Sequence, residues 1–511
     1  MRRFIITVLL LSVLNSVTGE NCYPKKFNSS SVVCVCNENN CGDIGKVKAE
    51  DGKIALYQSS MSGERLQRST VDFLSGAPAA ERDLTVSLIN THLQKIIGFG
   101  GALTDAAGVH WAGLGSTLQK RLLQSYYGPE GLEYNMGRIP MAACDFSTRD
   151  YTYADTPGDF ELKNFALAKE DLELKIPMIQ FAKNVSKEEI YFFGSPWGAP
   201  AWMKTNEKTY GKGTLKGSPG GQYFKSWANY FVKFYESYKE HGITMWGFTV
   251  QNEPTTGFKP WPWQTVAMSP YTERDFLKKD LGPALFKATS NSINIMVLDD
   301  NRVVLPWWAN VIFSDPEANR YAAGLAVHWY TDTLRNSSDL ESIHRDFGDK
   351  IIVNTEACEG FEFLITPVIL GSWERGEAYA RDILEDLRHH VNAWVDWNLF
   401  LNTEGGPNWA GNRVDSAIIV DTKTSTFYKQ PTYYAIAHFS KFIPRGSVRL
   451  DDALDGSQEK LTVVTFLRPD KLKATVILNR NDSVKKVLIK GLDGKSFMVE
   501  ATARSITTAL W

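Results

Sequence analysis

The chain has 511 residues, a formal net charge of −2 at pH 7 and 22% charged residues. This length suits more than one domain, and the charge balance provides neither a basic stripe for nucleic acid nor an acidic tail. Aromatic residues are unusually frequent, with 15 Trp, 20 Tyr and 27 Phe. Most of these belong in a core, but a surplus of Trp suits a site where the apolar faces of sugar rings pack on indoles.

The N-terminus predicts export. Arg2 and Arg3 precede an apolar run from Phe4 to Leu14, and small residues follow up to Gly19. This order is typical of a signal peptide, so residues 1–19 are expected to be removed. An uncleaved anchor is the alternative, although the run is too short to span a bilayer. Candidate glycosylation sites fit passage through the secretory pathway and lie at Asn28, Asn184, Asn336 and Asn481.

Four cysteines crowd the start of the exported chain, at Cys22, Cys34, Cys36 and Cys41. In a secreted protein they predict two disulfides of an irregular cap, and their spacing leaves three connectivities open. Zinc is the competing interpretation, disfavoured by export and by the lack of a matching His pair. Cys144 and Cys358 stand apart in the sequence and are expected to be buried thiols.

A strand–helix alternation fills the middle of the chain. After an alternating pattern at about residues 83–93, which predicts an antiparallel strand, eight short apolar runs recur at Lys95–Gly101, Asn135–Met141, Ile190–Gly194, Thr244–Gln251, Ile293–Leu298, Gly324–Trp329, Lys350–Asn354 and Val391–Trp397. Helical patterns separate them, as in Gln222–His241, where aromatic residues share one face and Gly242 follows. Eight such units predict an α/β fold with a closed (β/α)8 TIM barrel. An open doubly wound sheet is the alternative, but no Gly-x-Gly-x-x-Gly follows the first run.

Beyond Lys441 the pattern changes to short β runs separated by turns. These runs are Leu461–Phe466, Ala474–Leu478, Val487–Ile489 and Phe497–Ala503. Short strands at this spacing are typical of a β-sandwich. Residues 52–93 at the other end of the chain are expected to supply its first strands.

The carboxyl ends of the eight runs form the active-site face of such a barrel. They bring together charged, amide and aromatic residues, namely Arg138, Asp145, Trp197, Asn252, Glu253, Asp299, Asp300, His328, Tyr330, Glu356, Asp396, Trp397 and Asn398. Carboxylates and amides bind sugar hydroxyls, and aromatic rings pack on the apolar face of the sugar. The combination predicts a carbohydrate site.

Glu253 and Glu356 end the fourth and seventh runs, and glycosidic cleavage requires two carboxylates. Asn252 can bond a sugar hydroxyl beside the reacting carbon, which favours its neighbour Glu253 as the acid/base. Arg138 and Tyr330 are expected near Glu356 and would keep it ionised as the nucleophile. A separation of about 5–5.5 Å between the two carboxyl groups would make the enzyme retaining.

Other chemistries receive less support from the residues. Asp299, Asp300 and Asp396 have an alternative role as structural ion-pair partners, and His328 is expected to be a hydrogen-bonded wall residue. Neither a Gly-x-Ser-x-Gly nor a His-Glu-x-x-His motif occurs, and the spacing of the eight His matches no metal site. We therefore expect no metal site.

Longer motifs carry a family resemblance. They include Gly98-Phe99-Gly100-Gly101-Ala102, Cys144-Asp145-Phe146-Ser147, Asn252-Glu253-Pro254, His328-Trp329-Tyr330, Glu356-Ala357-Cys358, Asp396-Trp397-Asn398 and Glu404-Gly405-Gly406-Pro407-Asn408-Trp409. Through them the chain resembles glycoside hydrolase family 30, one of the barrel families whose acid/base and nucleophile end strands four and seven. The resemblance covers essentially the whole mature chain.

The resemblance implies a retaining exo-β-glucosidase that hydrolyses glucosylceramide in the lysosome, with Glu253 as acid/base and Glu356 as nucleophile. The implied glucose-binding residues are Asp145, Trp197, Asn252, Trp397 and Asn412, to which we add Tyr330, with Arg138 and His328 in support. The implied disulfides are Cys22–Cys34 and Cys36–Cys41. The resemblance also implies action at membrane surfaces with anionic lipids and a saposin-type activator, and it implies no metal or organic cofactor. The oligomeric state is left open, a homodimer included.

The implied fold adds a two-part β-sandwich and a small disulfide-bearing antiparallel sheet to the barrel. The expected boundaries are 20–47 with about 400–430 for the small β domain, 48–93 with 446–511 for the sandwich, and 94–399 with 431–445 for the barrel. Two segments at the barrel rim, Phe258–Met268 and Glu359–Val368, depart from the family pattern.

Because these segments should meet the lipid or aglycone, they leave the substrate preference and the activator dependence open. Three alternatives to the implied function and location are kept. They are another family-30 activity such as a β-xylosidase or β-1,6-glucanase, a catalytically inactive sugar-binding paralogue, and secretion instead of lysosomal residence.

Overall fold

The computed structural model describes residues 22–75, 81–334, 337–362 and 365–511. The predicted signal peptide and the sequon at Asn336 lie outside these residues. Of the other sequons, Asn28 and Asn184 are exposed, whereas Asn481 is half-buried and its amide donates to the carbonyl of Glu459 (3.1 Å). Within the described ranges, no helix combines the length and the apolar character needed to cross a membrane.

Eight parallel strands in the described part of the chain close a barrel, which confirms the predicted fold class. In chain order they are Gly98–Ala102, Met136–Met141, Tyr191–Pro196, Met245–Thr249, Asn294–Asn301, Ala322–His328, Ile351–Glu356 and Ala393–Asn398, here called barrel strands one to eight. Strand one pairs with strand eight, so the sheet has no free edge. The first strand begins later than its apolar run, because Lys95 still belongs to a neighbouring sheet and pairs there with Val448.

Helices surround the barrel and bury their apolar faces on it. Their bounds are Asp105–Ala112, Ser116–Tyr127, Ile176–Val185, Gln222–Glu240, Pro270–Phe276, Gly282–Thr289, Trp307–Phe313, Pro316–Asn319, Ser338–Asp346, Trp373–Arg388 and Pro431–Ser440. The longest one, Gln222–Glu240, buries Trp227, Phe231, Phe234 and Tyr238 and ends before Gly242, whose φ of 74° suits glycine. Its aromatic face packs behind the strand that leads to Glu253.

A second sheet combines strands from both ends of the chain. Its order in the described residues is Ser496–Ala501, Lys485–Lys490, Leu84–Lys95, Val448–Gly456, Leu461–Leu467, Lys473–Asn479, Ser505–Leu510, Lys53–Ser60 and Gln67–Asp72. The two halves of this sheet enclose a separate apolar core that includes Ile54, Val86, Val463 and Phe497. The strands Val448–Gly456 and Ser505–Leu510 were missing from the sequence-based prediction. Charged residues interrupt the alternation of the first, and the second is a short run in which hydroxyl residues stand among apolar ones.

A third, small sheet holds the disulfides. Its strands are Pro24–Lys26, Val32–Cys36, Thr426–Lys429, Ile418–Asp421 and Phe400–Asn402 in spatial order. Cys22 is joined to Cys34 and Cys36 to Cys41, the pairing that the family resemblance implies. Cys144 and Cys358 are buried free thiols. This sheet also carries the segment between Asn402 and Ile418, which reaches the mouth of the barrel.

Candidate active site

A pocket of about 240 Å³ opens at the carboxyl ends of the barrel strands. Its wall contains both predicted catalytic carboxylates and all six predicted substrate-binding residues, Asp145, Trp197, Asn252, Glu253, Tyr330, Glu356, Trp397 and Asn412. The remaining wall residues are Thr256, Trp261, Trp263, Asn301, Cys358, Phe361 and Val414. Arg138 and His328 lie beneath the wall, completely buried.

Glu356 is the last residue of barrel strand seven, and its carboxylate accepts two hydrogen bonds. The guanidinium of Arg138 donates to one oxygen, and the Tyr330 hydroxyl donates to the other at 2.7 Å. The Glu356 side chain is only 8% exposed. Two donors aimed at a nearly buried carboxylate stabilise its charged form, because bonds to charged groups are the stronger ones.

Glu253 follows barrel strand four on a strained piece of backbone. Its φ is 41°, a left-handed value that is uncommon for a residue with a side chain, and its N–H is held by the carbonyl of Asp299 at 2.8 Å. A carboxylate oxygen of Glu253 and one of Glu356 lie within 4.8 Å of each other. This separation suits the two carboxyl groups of a retaining glycosidase.

Arg138, on barrel strand two, connects four strand ends beneath the pocket. Besides Glu356, it donates to Asp299 (2.7 Å), Asn252 (2.8 Å) and Ser195 (3.1 Å). Asp299 also accepts from Thr249 and Thr355, each at 2.6 Å. Burial opposes the charge of Asp299, but Arg138 and His328 hold the pKa of that carboxyl well below its usual range.

His328 bridges the two acidic sides of the site. Its Nε2 lies 3.0 Å from Asp299 and its Nδ1 lies 3.3 Å from Glu253. Burial alone would lower the pKa of His328, but the neighbouring carboxylates of Glu356, Asp299 and Glu253 raise it to about 10. His328 is therefore an imidazolium that can donate from both nitrogens.

Asp145, Asn412 and two indoles form another part of the pocket wall. The rings of Trp197 and Trp397 stack with centroids 5.0 Å apart, and the Arg138 guanidinium lies 4.7 Å from the Trp197 ring. Asn412 donates to Asp145 at 3.0 Å. Burial, followed by the charge of Glu356, raises the pKa of Asp145 to about 7.

The other strand-end aspartates have separate partners. Asp299 forms the ion pair with Arg138 described above, so it takes the alternative role of a structural ion-pair partner. Asp300 accepts from the backbone N–H (3.0 Å) and hydroxyl (2.6 Å) of Thr255. Asp396 accepts from the Tyr379 hydroxyl at 2.8 Å, and burial raises its pKa to about 8.

Two groups of side chains among the described residues lie close enough together to share a cation. The first is Glu253, His328 and Glu356, and the second is Asp332, Asp382 and Asp386. In the first group the imidazolium of His328 supplies positive charge between the carboxylates. In the second, Arg302 pairs with Asp332 and lies 3.4 Å from Asp386.

Several wall residues were not predicted from the sequence. Trp261, Trp263 and Phe361 lie in the two rim segments. These segments lack a strand or helix pattern, so the direction of each side chain could not be predicted from its position in the sequence. Asn301 ends barrel strand five and its position at a strand end was a usable signal. Thr249 and Thr355 resemble ordinary buried strand residues, and only the contact with Asp299 reveals their role.

Comparisons with known proteins match both the barrel and the second sheet. Residues 96–443 match the Glycosyl hydrolase family 30 TIM-barrel domain, and residues 446–509 match the Glycosyl hydrolase family 30 beta sandwich domain. The chain is 46% identical over 501 residues to Lysosomal acid glucosylceramidase of Mus musculus, covering 96% of each chain. It is 43% identical over 517 residues to Putative glucosylceramidase 3 of Caenorhabditis elegans, covering 99% of this chain and 98% of that one.

Among solved structures, SrfJ from Salmonella typhimurium superimposes with a TM-score of 0.82 at 26% identity. The match covers 90% of this chain and 99% of that structure.

Proposed function

The chain belongs to glycoside hydrolase family 30, and from this premise we propose that it is a retaining β-glucosidase that hydrolyses glucosylceramide to glucose and ceramide. The observation that carries the proposal is the pair of carboxylates within 4.8 Å, of which Glu356 alone is bound by both Arg138 and Tyr330. Glucosylceramide is the proposed substrate because the 46% identical mouse relative is named as a glucosylceramidase.

In the proposed mechanism, the Glu356 carboxylate attacks the anomeric carbon while Glu253 gives its proton to the glycosidic oxygen. Ceramide leaves as an alcohol, and glucose becomes an ester of Glu356. Glu253, now ionised, takes a proton from a water molecule whose oxygen displaces Glu356 from the same face that the aglycone left. Two inversions give net retention.

The supporting residues have proposed roles that follow from their contacts. Asn252 is held by Arg138 and presents its amide beside Glu253. The stacked indoles of Trp197 and Trp397 provide an apolar surface for the sugar face, and Asp145 with Asn412 offers polar groups to its hydroxyls. Asp145 is mostly protonated below about pH 7, so it can both donate and accept there.

The proposed setting is a lipid surface inside the lysosome. Support comes from the name of the mouse relative, from the predicted signal peptide and from exposed apolar side chains around the rim, including Phe258, Trp261, Phe361 and Ile365. An exposed apolar rim fits contact with lipid. Anionic lipids and a saposin-type activator are part of this proposal, as is a homodimer, and each is testable by adding anionic vesicles or activator and by measuring mass in solution.

Glucose release from glucosylceramide at acidic pH tests the proposal. The wild type should release glucose, and Glu356→Gln and Glu253→Gln should each lose several orders of magnitude in rate, about 1.4 kcal/mol for every tenfold. Both replacements keep the size of the side chain, so unfolding is not the expected cause. Hydrolysis of aryl β-glucosides without any cleavage of glucosylceramide would reject the lipid substrate and retain the mechanism.

A further inference from the structure

Two rim loops are joined to each other at the mouth of the pocket. Thr265 N–H donates to the Thr209 carbonyl (3.2 Å), Gly213 N–H to Gly257 (3.0 Å) and Ala267 N–H to Gly213 (2.8 Å). Thr209 and Gly213 belong to the loop after barrel strand three. Gly257, Thr265 and Ala267 belong to the loop after barrel strand four. The two loops therefore form one hydrogen-bonded unit.

Lys204 lies beneath this junction and is completely buried. Its ammonium donates to the carbonyl oxygens of Thr209 (3.0 Å) and Thr265 (2.6 Å), one from each loop. Burial lowers the pKa of Lys204 to about 7, against the opposing charge of Asp150. A buried ammonium is costly unless its hydrogens are used, and here they tie the two loops together.

Asp150 extends the same junction to a third loop, which follows barrel strand two. One oxygen of its carboxylate accepts from Gln264 at 2.8 Å, and the other accepts from the Thr209 hydroxyl. Thr265 adds a side-chain bond of its own, from its hydroxyl to the Gly211 carbonyl at 2.7 Å. We call Asp150, Lys204, Thr209, Gln264 and Thr265 the rim clasp.

The rim clasp is adjacent in sequence to the two indoles of the outer pocket. Trp263 immediately precedes Gln264, and its ring stacks on that of Trp261 with centroids 4.7 Å apart. Both indoles line the pocket, and Trp261 is 39% exposed. Phe361, also in the pocket wall, is 37% exposed and belongs to the loop after barrel strand seven. An apolar aglycone that extends outward from the sugar site can pack on these aromatic rings.

We propose that Lys204 is a positioning residue for aglycone specificity: by joining the two loops, it fixes the stacked indoles of Trp261 and Trp263 as a platform for long apolar aglycones. The residue does not reach the sugar or the two carboxylates. It acts on aglycone binding through the loops, and this inference rests on the proposed β-glucosidase activity.

The test compares methyl with octyl β-glucoside, which share the sugar and differ in the aglycone. Lys204→Met should lower kcat/KM for octyl β-glucoside about tenfold, mainly through KM, and change that for methyl β-glucoside by less than about twofold. Trp261→Ala should reduce the preference for octyl over methyl β-glucoside to a similar degree, and the double variant should lose little more of this preference than either single variant. Lys212→Met, an exposed lysine of the same loop, is the matched control and should keep the wild-type preference.

Thr265→Val is the second variant, because loss of a buried ammonium can prevent folding. It removes only the bond to the Gly211 carbonyl, and it should reduce the preference for octyl over methyl β-glucoside about threefold. The proposal would be overturned if folded Lys204→Met or Thr265→Val protein kept the wild-type preference for octyl β-glucoside. It would also be overturned if the loss in the Lys204→Met, Trp261→Ala double variant equalled the product of the two single losses.

If the wild type did not hydrolyse glucosylceramide but still preferred octyl over methyl β-glucoside, the proposed substrate would be rejected. The proposed role of Lys204 and the two indoles would be retained. If neither glucoside were cleaved, tryptophan fluorescence titrations with the same two glucosides would make the comparison, and equal loss of affinity for both would overturn it.

Discussion

Arg138 donates to side chains at the ends of four barrel strands, so one residue sets the relative positions of the proposed nucleophile, Asn252 and Asp299. Its guanidinium is completely buried, and the opposite charges of Asp299 and Glu356 outweigh the effect of burial and raise its pKa. A planar fork with five N–H groups can serve these partners together, whereas an ammonium cannot.

Arg138→Lys should therefore lower kcat by about 100-fold or more, because the carboxylate of Glu356 loses a directed donor and its geometry loosens. Steady-state kinetics on an aryl β-glucoside measures the effect, with circular dichroism as the check on folding. Arg149→Lys is the matched control, since that arginine is half-exposed and pairs with Glu170 outside the pocket. A kcat within about threefold of wild type would contradict the role of Arg138.

At the scale of elements, the helix Gln222–Glu240 supports the strand that leads to Glu253. Phe234 is fully buried and lies among Tyr153, Tyr238 and Phe248, the last of these on barrel strand four. Gly194 makes this close approach possible, because a Cβ there would lie 2.7 Å from the Phe248 ring. The helix and the strand are thus coupled through aromatic packing.

Phe234→Ala should reduce the free energy of unfolding by about 3–5 kcal/mol, as expected for a large cavity in a packed core. Glu236→Ala, an exposed position on the same helix, should change it by less than about 0.5 kcal/mol. Urea denaturation of both variants measures the difference. Equal stability of the two variants would mean that the aromatic face is not a packing surface.

The helix Gln222–Glu240 and the barrel strand Met245–Thr249 could be predicted from the sequence, because the spacing of their apolar residues matches the faces that the structure buries. The sequence also placed Glu253 and Glu356 together because strand ends converge in a barrel. It could not place Trp261 or Lys204, since their positions depend on hydrogen bonds between loops that have no repeating pattern. Lys204 in particular resembles an ordinary surface lysine in sequence, and only the structure reveals its burial.

At the scale of the whole molecule, several carboxyl groups are buried without a sufficient counter-charge. Burial raises the pKa to about 7 for Asp145, Glu273 and Glu359 and to about 8 for Asp386 and Asp396. In the unfolded chain such groups titrate near pH 4. Each group favours the folded state fully below that value, and this stabilisation is lost as the pH rises through 7 to 8.

The protein should accordingly unfold at a temperature about 5–10 °C higher near pH 5 than near pH 8. His438 opposes this trend, because burial lowers its pKa to about 3, but it is outnumbered in that window. Asp396→Asn should flatten the dependence, since an amide there carries no charge to desolvate. Calorimetry across this range decides the point, and a melting temperature that is lower near pH 5 would contradict it.

The central claim is that Glu356 forms a glucosyl ester on the way to a product of retained configuration. A 2-deoxy-2-fluoro-β-glucoside with a good leaving group should react once with the enzyme, because the fluorine slows both formation and hydrolysis of the ester, whereas the good leaving group speeds its formation alone. Peptide mass spectrometry should then find one fluoroglucosyl group, on Glu356, in the wild type and none in Glu356→Gln. Label on Glu253 or another residue, or hydrolysis with inversion and no label, would contradict the account.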